Sequence, residues 1–89
     1  MKLTVEISMY PFNADYIPPI KAYIEKLNSF GDLLVHTTPT CTIVEGDYAK
    51  VMAMLDQTIR WSVESYGKAV FVTKFLAGYQ GLSKGAPEA

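Results

Sequence analysis

The sequence has few of the residues on which metal, disulfide and redox chemistry depend. Its 89 residues include one cysteine and one histidine. A single cysteine excludes an intrachain disulfide, and one cysteine with one histidine is too few for a zinc site built from those two residue types. We therefore expect a protein of a reduced compartment that holds no metal and no cofactor.

The sequence also lacks an excess of charge and a long apolar run. Its 8 Lys+Arg and 9 Asp+Glu give a net charge of −1, so there is no basic field to attract nucleic acid. No apolar run approaches the length of a membrane span, and Glu6 lies where a signal peptide needs apolar residues. We predict a cytoplasmic protein whose partners include neither nucleic acid nor membrane.

Motifs for phosphate binding and hydrolysis are missing as well. The glycine pair of Gly78-Tyr79-Gln80-Gly81 precedes no predicted helix, unlike a phosphate-binding loop. No pair of acidic residues has a spacing typical of hydrolases. We therefore assign no catalytic residues from these motifs.

The residues that are present suffice for one small domain. A chain of 89 residues buries about 60 to 65 per cent of its unfolded surface, which allows a core without disulfides or metals. We assign this domain to residues 1–78. Residues 79–89 form a C-terminal tail rich in glycine, and we expect its end to be mobile.

Apolar periodicity and turn residues divide the domain into six elements. Alternation from residue 2 to residue 10 predicts a strand, and Pro18 and Pro19 suit the first turn of a helix that starts near Asp15 and stops at Gly31. Asp47 is a favourable N-cap for a second helix, which ends at Gly67. The remaining predicted strands are 33–37, 40–45 and 68–76.

This order predicts an α+β fold, the ferredoxin-like βαββαβ sandwich, with a four-stranded antiparallel sheet and both helices on one face. In the second helix we expect an inward stripe from Tyr48 through Val51, Met52 and Leu55 to Tyr66, with Met54 outside it.

The hairpin between the two middle strands determines which residues share a face. Pro39 marks the turn, and a four-residue connection from Thr37 to Thr40 would place His36 opposite Cys41 on the helix-covered face. The helix-free face would then be an unusually large apolar patch with embedded polar groups. Its expected members are Thr4, Glu6, Ser8, Tyr10, Val35, Thr37, Thr40, Thr42, Val44, Val70, Val72, Lys74 and Leu76.

Three features have both a functional and a structural interpretation. Cys41 beside His36 could be a thiol nucleophile with its base, although a lone buried cysteine is more often plain packing. Glu6 could hold a cationic ligand, or pair with Lys74 across the sheet. The hydroxyls near Ser8 could bind a polar heterocycle, or reflect the preference of threonine for strands.

Several short motifs together resemble the YkoF-like thiamine and hydroxymethylpyrimidine-binding family. They are Glu6-Ile7-Ser8-Met9-Tyr10-Pro11, Asp15-Tyr16-Ile17, Thr37 followed by Cys41-Thr42, Gly46-Asp47 and Gly78-Tyr79-Gln80-Gly81. The similarity spans most of residues 3–81. Cys41 stands where that family is expected to have serine, and the Gly-Tyr-Gln-Gly end departs from the family's usual cysteine- and proline-containing end.

The resemblance implies a non-enzymatic protein that binds thiamine or its hydroxymethylpyrimidine precursor in salvage or transport of vitamin B1. It implies ligand-binding residues on the helix-free face of the sheet, namely Glu6, Ser8, Tyr10, Thr37 and Thr42. Longer members contain two such domains, so this chain would form a homodimer through that face. A small dimeric α+β-barrel enzyme of oxygenase or isomerase type, and a regulatory interaction module, are the alternatives.

Overall fold

Four strands and two helices follow one another in the predicted order. A computed structural model describes residues 1–83. Its elements are β1 (Lys2–Pro11), α1 (Ile17–Asn28), β2 (Leu34–Thr37), β3 (Thr42–Asp47), α2 (Tyr48–Tyr66) and β4 (Ala69–Ala77).

The strands form one antiparallel sheet in the order β2-β3-β1-β4, with both connections through a helix crossing over a neighbouring strand. Val5 of β1 lies between Val44 of β3 and Phe75 of β4, and this register places the odd-numbered residues of β1 beneath the helices. The predicted ferredoxin-like fold is confirmed.

The core lies between the sheet and the two helices. The completely buried side chains of Leu3, Val5 and Val44 contact the helix layer, to which α1 contributes Leu27 and α2 contributes Val51. Tyr23 joins the layers, since its ring packs on Phe71 with a centroid distance of 5.1 Å. Because the core fills the middle of the domain, the polar groups that can reach a ligand lie at the ends of the strands.

The turn of the middle hairpin lies one residue later than predicted, so the pairing of β2 with β3 is shifted by two residues. The connection runs from Thr38 to Cys41, and the backbone N–H of Thr38 donates to the carbonyl of Cys41 over 2.8 Å. The hydroxyl of Thr38 accepts from the N–H groups of Thr40 and Cys41, at 3.3 and 3.1 Å. The side chain of Thr38 thus closes the turn, a function that we had not assigned to it.

The hairpin also presents the opposite face from the predicted one: Val44 pairs with Val5, whose side chain is buried beneath the helices, so each side chain of β2 and β3 lies on the other side of the sheet. The residues Val35, Thr37, Thr42 and Val44 lie on the helix-covered face, not on the helix-free face as predicted. Leu34, His36, Ile43 and Glu45 take their places on the helix-free face. His36 lies opposite Ile43 on the helix-free face, and Cys41 belongs to the turn, with its sulfur 4.0 Å from a carboxylate oxygen of Glu6.

The helices also differ from prediction in detail. Met54 is completely buried, whereas Met52 and Tyr48 are 37% and 41% exposed, so the inward stripe of α2 is rotated from the predicted one. Asp47 occupies the N-cap of α2 but its side chain makes no capping hydrogen bond. Gly67 ends α2 as predicted, with φ of 91° and its N–H bonded to the carbonyl of Val63.

The C-terminal segment, residues 79–83, folds back over the helix-free face. Gly78 makes the reversal with φ of 78°, a conformation that glycine adopts readily. The carbonyl of Tyr79 accepts from the Thr4 hydroxyl at 2.6 Å, and the N–H of Gly81 donates to the same hydroxyl at 2.9 Å. A side chain at position 81 would crowd Thr4, so Gly81 permits this close approach.

Glu45 fastens the C-terminal segment to the sheet. One carboxylate oxygen accepts from the N–H groups of Leu82 and Ser83, each at 2.9 Å, and the other accepts from the Ser83 hydroxyl at 2.7 Å. The predicted mobile end of the tail, beyond Ser83, lies outside the described residues. Among residues 1–83, neither helix has the length and apolarity needed to cross a membrane.

Candidate functional site

A cavity of about 610 Å³ lies at the end of the sheet that contains the β2–β3 connection. Its walls are the second half of β1, the middle of α1 with two residues that precede the helix, and residues 37–42 of the hairpin. Ile7, Met9, Ile20 and Ile24 form its apolar floor. A volume in this range fits a small heterocyclic molecule.

The cavity exists because β1 is longer than its neighbour β3. The pairing of these strands ends at Ile7 and Thr42, since the chain turns away from β1 at Cys41. From Ser8 to Pro11, β1 pairs only with β4, and its other edge faces the cavity. Backbone groups along an unpaired edge are available for hydrogen bonds, so this edge can bind a polar ring.

Hydroxyl groups from β1 and the hairpin surround the apolar floor. The hydroxyls of Thr37 and Thr42 lie 3.4 Å apart, and the Ser8 hydroxyl donates to the carbonyl of Thr40 over 3.1 Å. A hydroxyl can both donate and accept, so these groups can match the nitrogen acceptors and amino donors of a heterocycle.

Aromatic side chains frame the cavity. Tyr10 and Tyr16 line it while remaining 57% and 54% exposed, which leaves ring surface free to stack on a ligand. Tyr23 lies deeper and is buried. Burial raises the pKa of the Tyr23 hydroxyl, although its 3.1 Å hydrogen bond with Thr58 acts in the opposite direction. Tyr23 therefore stays a neutral part of the wall.

Glu6 lies next to the cavity but does not line it. Its carboxylate oxygen is 4.0 Å from the sulfur of Cys41, which does line it. Lys74 is the direct neighbour of Glu6 on β4, yet the ion pairs within residues 1–83 join other residues, Lys50 with Asp32 and Arg60 with Asp56. The predicted structural alternative for Glu6, a pair with Lys74, is therefore absent from this part of the chain.

The structure brings together four of the five predicted site residues. Ser8, Tyr10, Thr37 and Thr42 all line the cavity. They do not share one sheet face, because Thr37 and Thr42 lie on the helix side while Ser8 and Tyr10 belong to the helix-free side. The cavity extends around the open edge of β1, so residues from both faces reach it.

Sequence reasoning did not predict that α1 and the β2–β3 turn contribute side chains to the cavity wall. Ile20 and Ile24 follow the three-and-four apolar spacing of an amphipathic helix, and Tyr16 precedes that helix. Thr38 lies within the predicted turn, and none of these signals indicates a cavity wall. The isoleucine spacing predicts the helix correctly. Two of its members reach the cavity because β3 is too short to cover the sheet beneath them.

Cys41 is half-buried and unpaired with any other cysteine, and its sulfur lies 3.5 Å from the Thr38 hydroxyl. No hydrogen bond joins Cys41 to His36 within the described part of the chain. Residues 1–83 also contain no cluster of three or more histidine, cysteine, aspartate or glutamate side chains that could hold a metal ion. The described lining of the cavity consists of hydroxyls, aromatic rings, apolar side chains, the amide of Asn13 and the thiol of Cys41.

The fold and the cavity define a small ferredoxin-like domain with a ligand-sized site at one end of its sheet. Solved structures share this architecture. A protein of Thermotoga maritima, provisionally described as a thiamine biosynthesis/salvage protein, is 25% identical, with a TM-score of 0.82 and 94% of each chain covered.

Two further structures match at lower identity. A protein of Streptococcus pneumoniae is 21% identical with a TM-score of 0.81, covering 93% of this chain and 92% of its own. A domain of unknown function from Bacillus cereus is 16% identical with a TM-score of 0.73, covering 98% of this chain and 83% of its own. These two similarities concern the fold alone.

No family model matches the sequence, and no curated protein matches it either.

Proposed function

We propose that this protein binds thiamine or its hydroxymethylpyrimidine precursor, without turnover, in salvage or transport of vitamin B1. The observation that supports this most is the cavity at the open edge of β1, which combines exposed tyrosines with hydroxyl groups over an apolar floor. The similarity to the Thermotoga maritima protein supports the choice of ligand.

The cavity suits an aminopyrimidine in three ways. The ring can stack on Tyr10 or Tyr16, whose faces remain exposed. Its ring nitrogens and amino group need donors and acceptors, which the hydroxyls of Thr37 and Thr42 provide. Its methyl group can pack on the apolar floor, near Ile20.

Glu6 gives the site a preference for cationic ligands. Its carboxylate lies beside Cys41 at the cavity wall, so it can attract the positive charge of the thiazolium ring of thiamine. Hydroxymethylpyrimidine is uncharged at neutral pH and would depend on stacking and hydrogen bonds instead.

Calorimetric titration of the purified chain with thiamine and with hydroxymethylpyrimidine tests the proposal. We expect saturable binding of at least one of them, and no binding of purine or indole controls of similar size. A thermal-shift series should agree, because a ligand at about 100 times its Kd stabilises the folded state by about 2.7 kcal/mol. Conversion of either ligand to a product would support the enzyme alternative, and no interaction with either would contradict the proposal.

We further propose that two copies associate through the helix-free face. Its apolar residues are Leu34, Ile43, Val70, Val72 and Leu76, of which Leu34, Val70 and Val72 are 48%, 42% and 52% exposed. Val35 and Val44, which we expected there, belong to the core side. These side chains lie on β2, β3 and β4, on both sides of β1, and association would shield them from water at about 25 cal/mol per Å².

Sedimentation velocity tests the dimer. We expect a native dimer at micromolar concentration and a folded monomer for Val72→Lys, which places a second positive charge close to Lys74. Val63→Lys is the matched control, because Val63 is an exposed valine on α2 and away from this face. A monomeric native protein would overturn the dimer without affecting the proposed ligand.

A further inference from the structure

Strand β4 lies at one edge of the sheet, and within residues 1–83 no strand pairs with its outer side. It runs for 9 residues, Ala69–Ala77, whereas β2 at the other edge has 4. Edge strands are usually short, or carry proline, bulges or several charges, because their unpaired backbone can pair with another chain. β4 has an unbroken register, no proline and one charged residue, Lys74, so this edge is open to a further strand.

Hydrogen bonds at the two ends of β4 show which of its backbone groups point outward. The N–H of Gly78 donates to the carbonyl of Lys2 over 2.7 Å, and the carbonyl of Lys68 accepts from the N–H of Phe12 at 3.0 Å. Even-numbered residues therefore face β1 at both ends of an unbroken register. Because backbone direction alternates along a strand, the odd-numbered residues of β4 direct both their N–H and their C=O groups away from the sheet.

The side chains beside this edge are apolar and accessible on both faces. On the helix side, Phe75 is 51% exposed, although its neighbour on β1, Val5, is completely buried. On the helix-free side, Val72 is also half exposed. The helix layer therefore does not reach over this part of β4, and another strand can lie beside it without meeting a helix.

The sequence of β4 has nearly the same chemical character when it is read in either direction from Thr73. A two-fold axis at Thr73 would place each residue of one copy opposite a residue of the same class in the other, with one exception. The pairs are Ala69 with Ala77, Phe71 with Phe75, Val70 with Leu76 and, as the exception, Val72 with Lys74. No like charges face each other directly, and the aliphatic stem of a lysine can pack on valine while its ammonium group stays in water.

From these observations we infer that two copies of this protein pair antiparallel along β4, with Thr73 opposite Thr73 of the partner subunit, and form one continuous sheet. Each odd-numbered residue of β4 exchanges two hydrogen bonds with the residue opposite. Phe71 and Phe75 form cross-strand aromatic pairs on the helix side. The contact leaves the cavity accessible, because the cavity borders the other edge of β1.

This contact differs from the proposed dimer through the helix-free face and does not depend on it. A strand edge buries less apolar surface than a sheet face, so the face dimer forms first and the edge contact joins two such dimers at higher protein concentration, near about 100 μM. Two different two-fold contacts on one subunit give a closed assembly of four copies.

Disulfide cross-linking tests the register. Thr73→Cys, in a Cys41→Ser background that removes the other thiol, places a thiol at the two-fold axis. The Cα atoms of a hydrogen-bonded antiparallel pair are about 5.5 Å apart, which a disulfide can span. Ala77→Cys in the same background is the matched control, because it lies on the same strand and face while its equivalent in the partner is about 27 Å away along the strands.

We expect mild oxidation to convert Thr73→Cys to a covalent dimer and to leave Ala77→Cys uncross-linked. A mixture of Ala69→Cys and Ala77→Cys should cross-link, since this register places those residues opposite each other. Equal cross-linking of Thr73→Cys and Ala77→Cys, or none in Thr73→Cys, would overturn the inference. The proposed ligand and the proposed face dimer would be unaffected by either result.

Thr73→Pro tests the backbone contact without a cross-link. Proline here removes an outward N–H and keeps the bonds to β1, and Thr73→Ser, which retains the N–H, is the control. Sedimentation equilibrium up to about 100 μM should show that Thr73→Pro raises the Kd of association through β4 at least about tenfold, while Thr73→Ser matches the native protein. Identical association of the native protein and a folded Thr73→Pro would contradict pairing through β4, and if Thr73→Pro does not fold, the cross-linking result decides.

Discussion

The two ends of the sheet differ in whether the chain itself provides hydrogen-bond partners for their polar groups. At one end, the chain itself satisfies them, since the C-terminal segment bonds to Thr4 and Glu45 through five hydrogen bonds. At the other end, β1 extends past β3 and leaves its edge from Ser8 to Pro11 beside an open cavity. Buried polar groups need partners, so the first end is complete and the second requires water or a ligand.

This comparison distinguishes two glutamates on the helix-free face, one whose carboxylate holds the C-terminal segment and one whose carboxylate can act on a ligand. Glu45 is 3% exposed and accepts three hydrogen bonds from the C-terminal segment. Glu6, on the neighbouring strand and the same face, has only the Cys41 thiol near it, at 4.0 Å. A sequence alone distinguishes these two glutamates poorly, because both follow the alternation of a strand.

The largest expected effect concerns the closed end. Glu45→Ala removes the acceptor for three hydrogen bonds. Hydrogen bonds to charged groups each contribute about 1.5 to 3 kcal/mol, but the released segment regains conformational entropy, which offsets part of this loss. We therefore expect the free energy of unfolding to fall by about 2 to 3 kcal/mol. Urea unfolding measures it, with Glu64→Ala on the exposed side of α2 as the control. A change no greater than in the control would show that the segment contributes nothing to stability.

Acid should release the same segment. Burial opposes ionisation of Glu45, but hydrogen bonds from the backbone and side chain of Ser83, from the backbone of Leu82, and the charge of Lys2 lower its pKa below the usual value. The stabilisation is therefore complete above the pKa of an ordinary glutamate and disappears as the pH falls through the lowered pKa of the folded state.

Hydrogen exchange at Gly81, Leu82 and Ser83 as a function of pH measures this release. We expect protection of these amides to fall at acid pH while the core amides stay protected. Glu45→Gln should show no such pH dependence. Persistent protection of the segment at a pH where Glu45 is protonated would contradict this interpretation.

The open end should respond in affinity instead of stability. Tyr10→Ala removes an exposed ring at the cavity. The loss of one aromatic stacking contact, about 0.5 to 1.5 kcal/mol, should weaken binding of hydroxymethylpyrimidine about 2- to 13-fold. Tyr66→Ala, at the exposed end of α2, is the matched control. Equal affinity in the wild type and in Tyr10→Ala would remove Tyr10 from the site.

A smaller effect should separate two ligands. Glu6→Gln removes a partly exposed charge near the cavity, so we expect thiamine to lose up to about 1 kcal/mol, or about fivefold in Kd, while uncharged hydroxymethylpyrimidine keeps its affinity. Calorimetry on the same protein preparation with both ligands makes each ligand the control for the other. Equal losses for both would indicate a structural effect of Glu6.

The smallest effect is expected for Cys41→Ser. The serine hydroxyl can replace the thiol beside Thr38 and Glu6, so binding should be retained with little change in stability. If the protein has a measurable catalytic activity, its loss in a folded Cys41→Ser variant would support the thiol nucleophile and contradict a purely binding function.

The sequence predicts the order of elements well and the hairpin register poorly. Alternation in β1, the prolines at the start of α1 and Gly67 after α2 are local signals, which can be recognised without knowledge of the tertiary contacts. The register depends on whether Thr37 or Thr38 begins the turn. The two choices differ by the hydrogen bonds of one hydroxyl, which a pattern of apolar residues does not show.

The cavity was predictable only in part, for the same reason. The residues Ser8, Tyr10, Thr37 and Thr42 were chosen correctly as neighbours, although two of them were placed on the wrong face. Helix α1 contributes to the cavity wall because β3 is short. The ends of strands are the least reliable part of a prediction from sequence. The role of the C-terminal segment depends on long-range hydrogen bonds to Glu45 and was not predictable from local patterns.

Amide chemical-shift mapping by NMR compares the two ends in a single experiment. On titration with hydroxymethylpyrimidine, we predict saturable shifts at residues 8–13, 16–24 and 37–42, which surround the cavity, and unchanged signals at residues 79–83, which close the other end. Saturable shifts centred on the C-terminal segment or on α2, or no shifts at millimolar ligand, would contradict the assignment of the open end of the sheet as the ligand site.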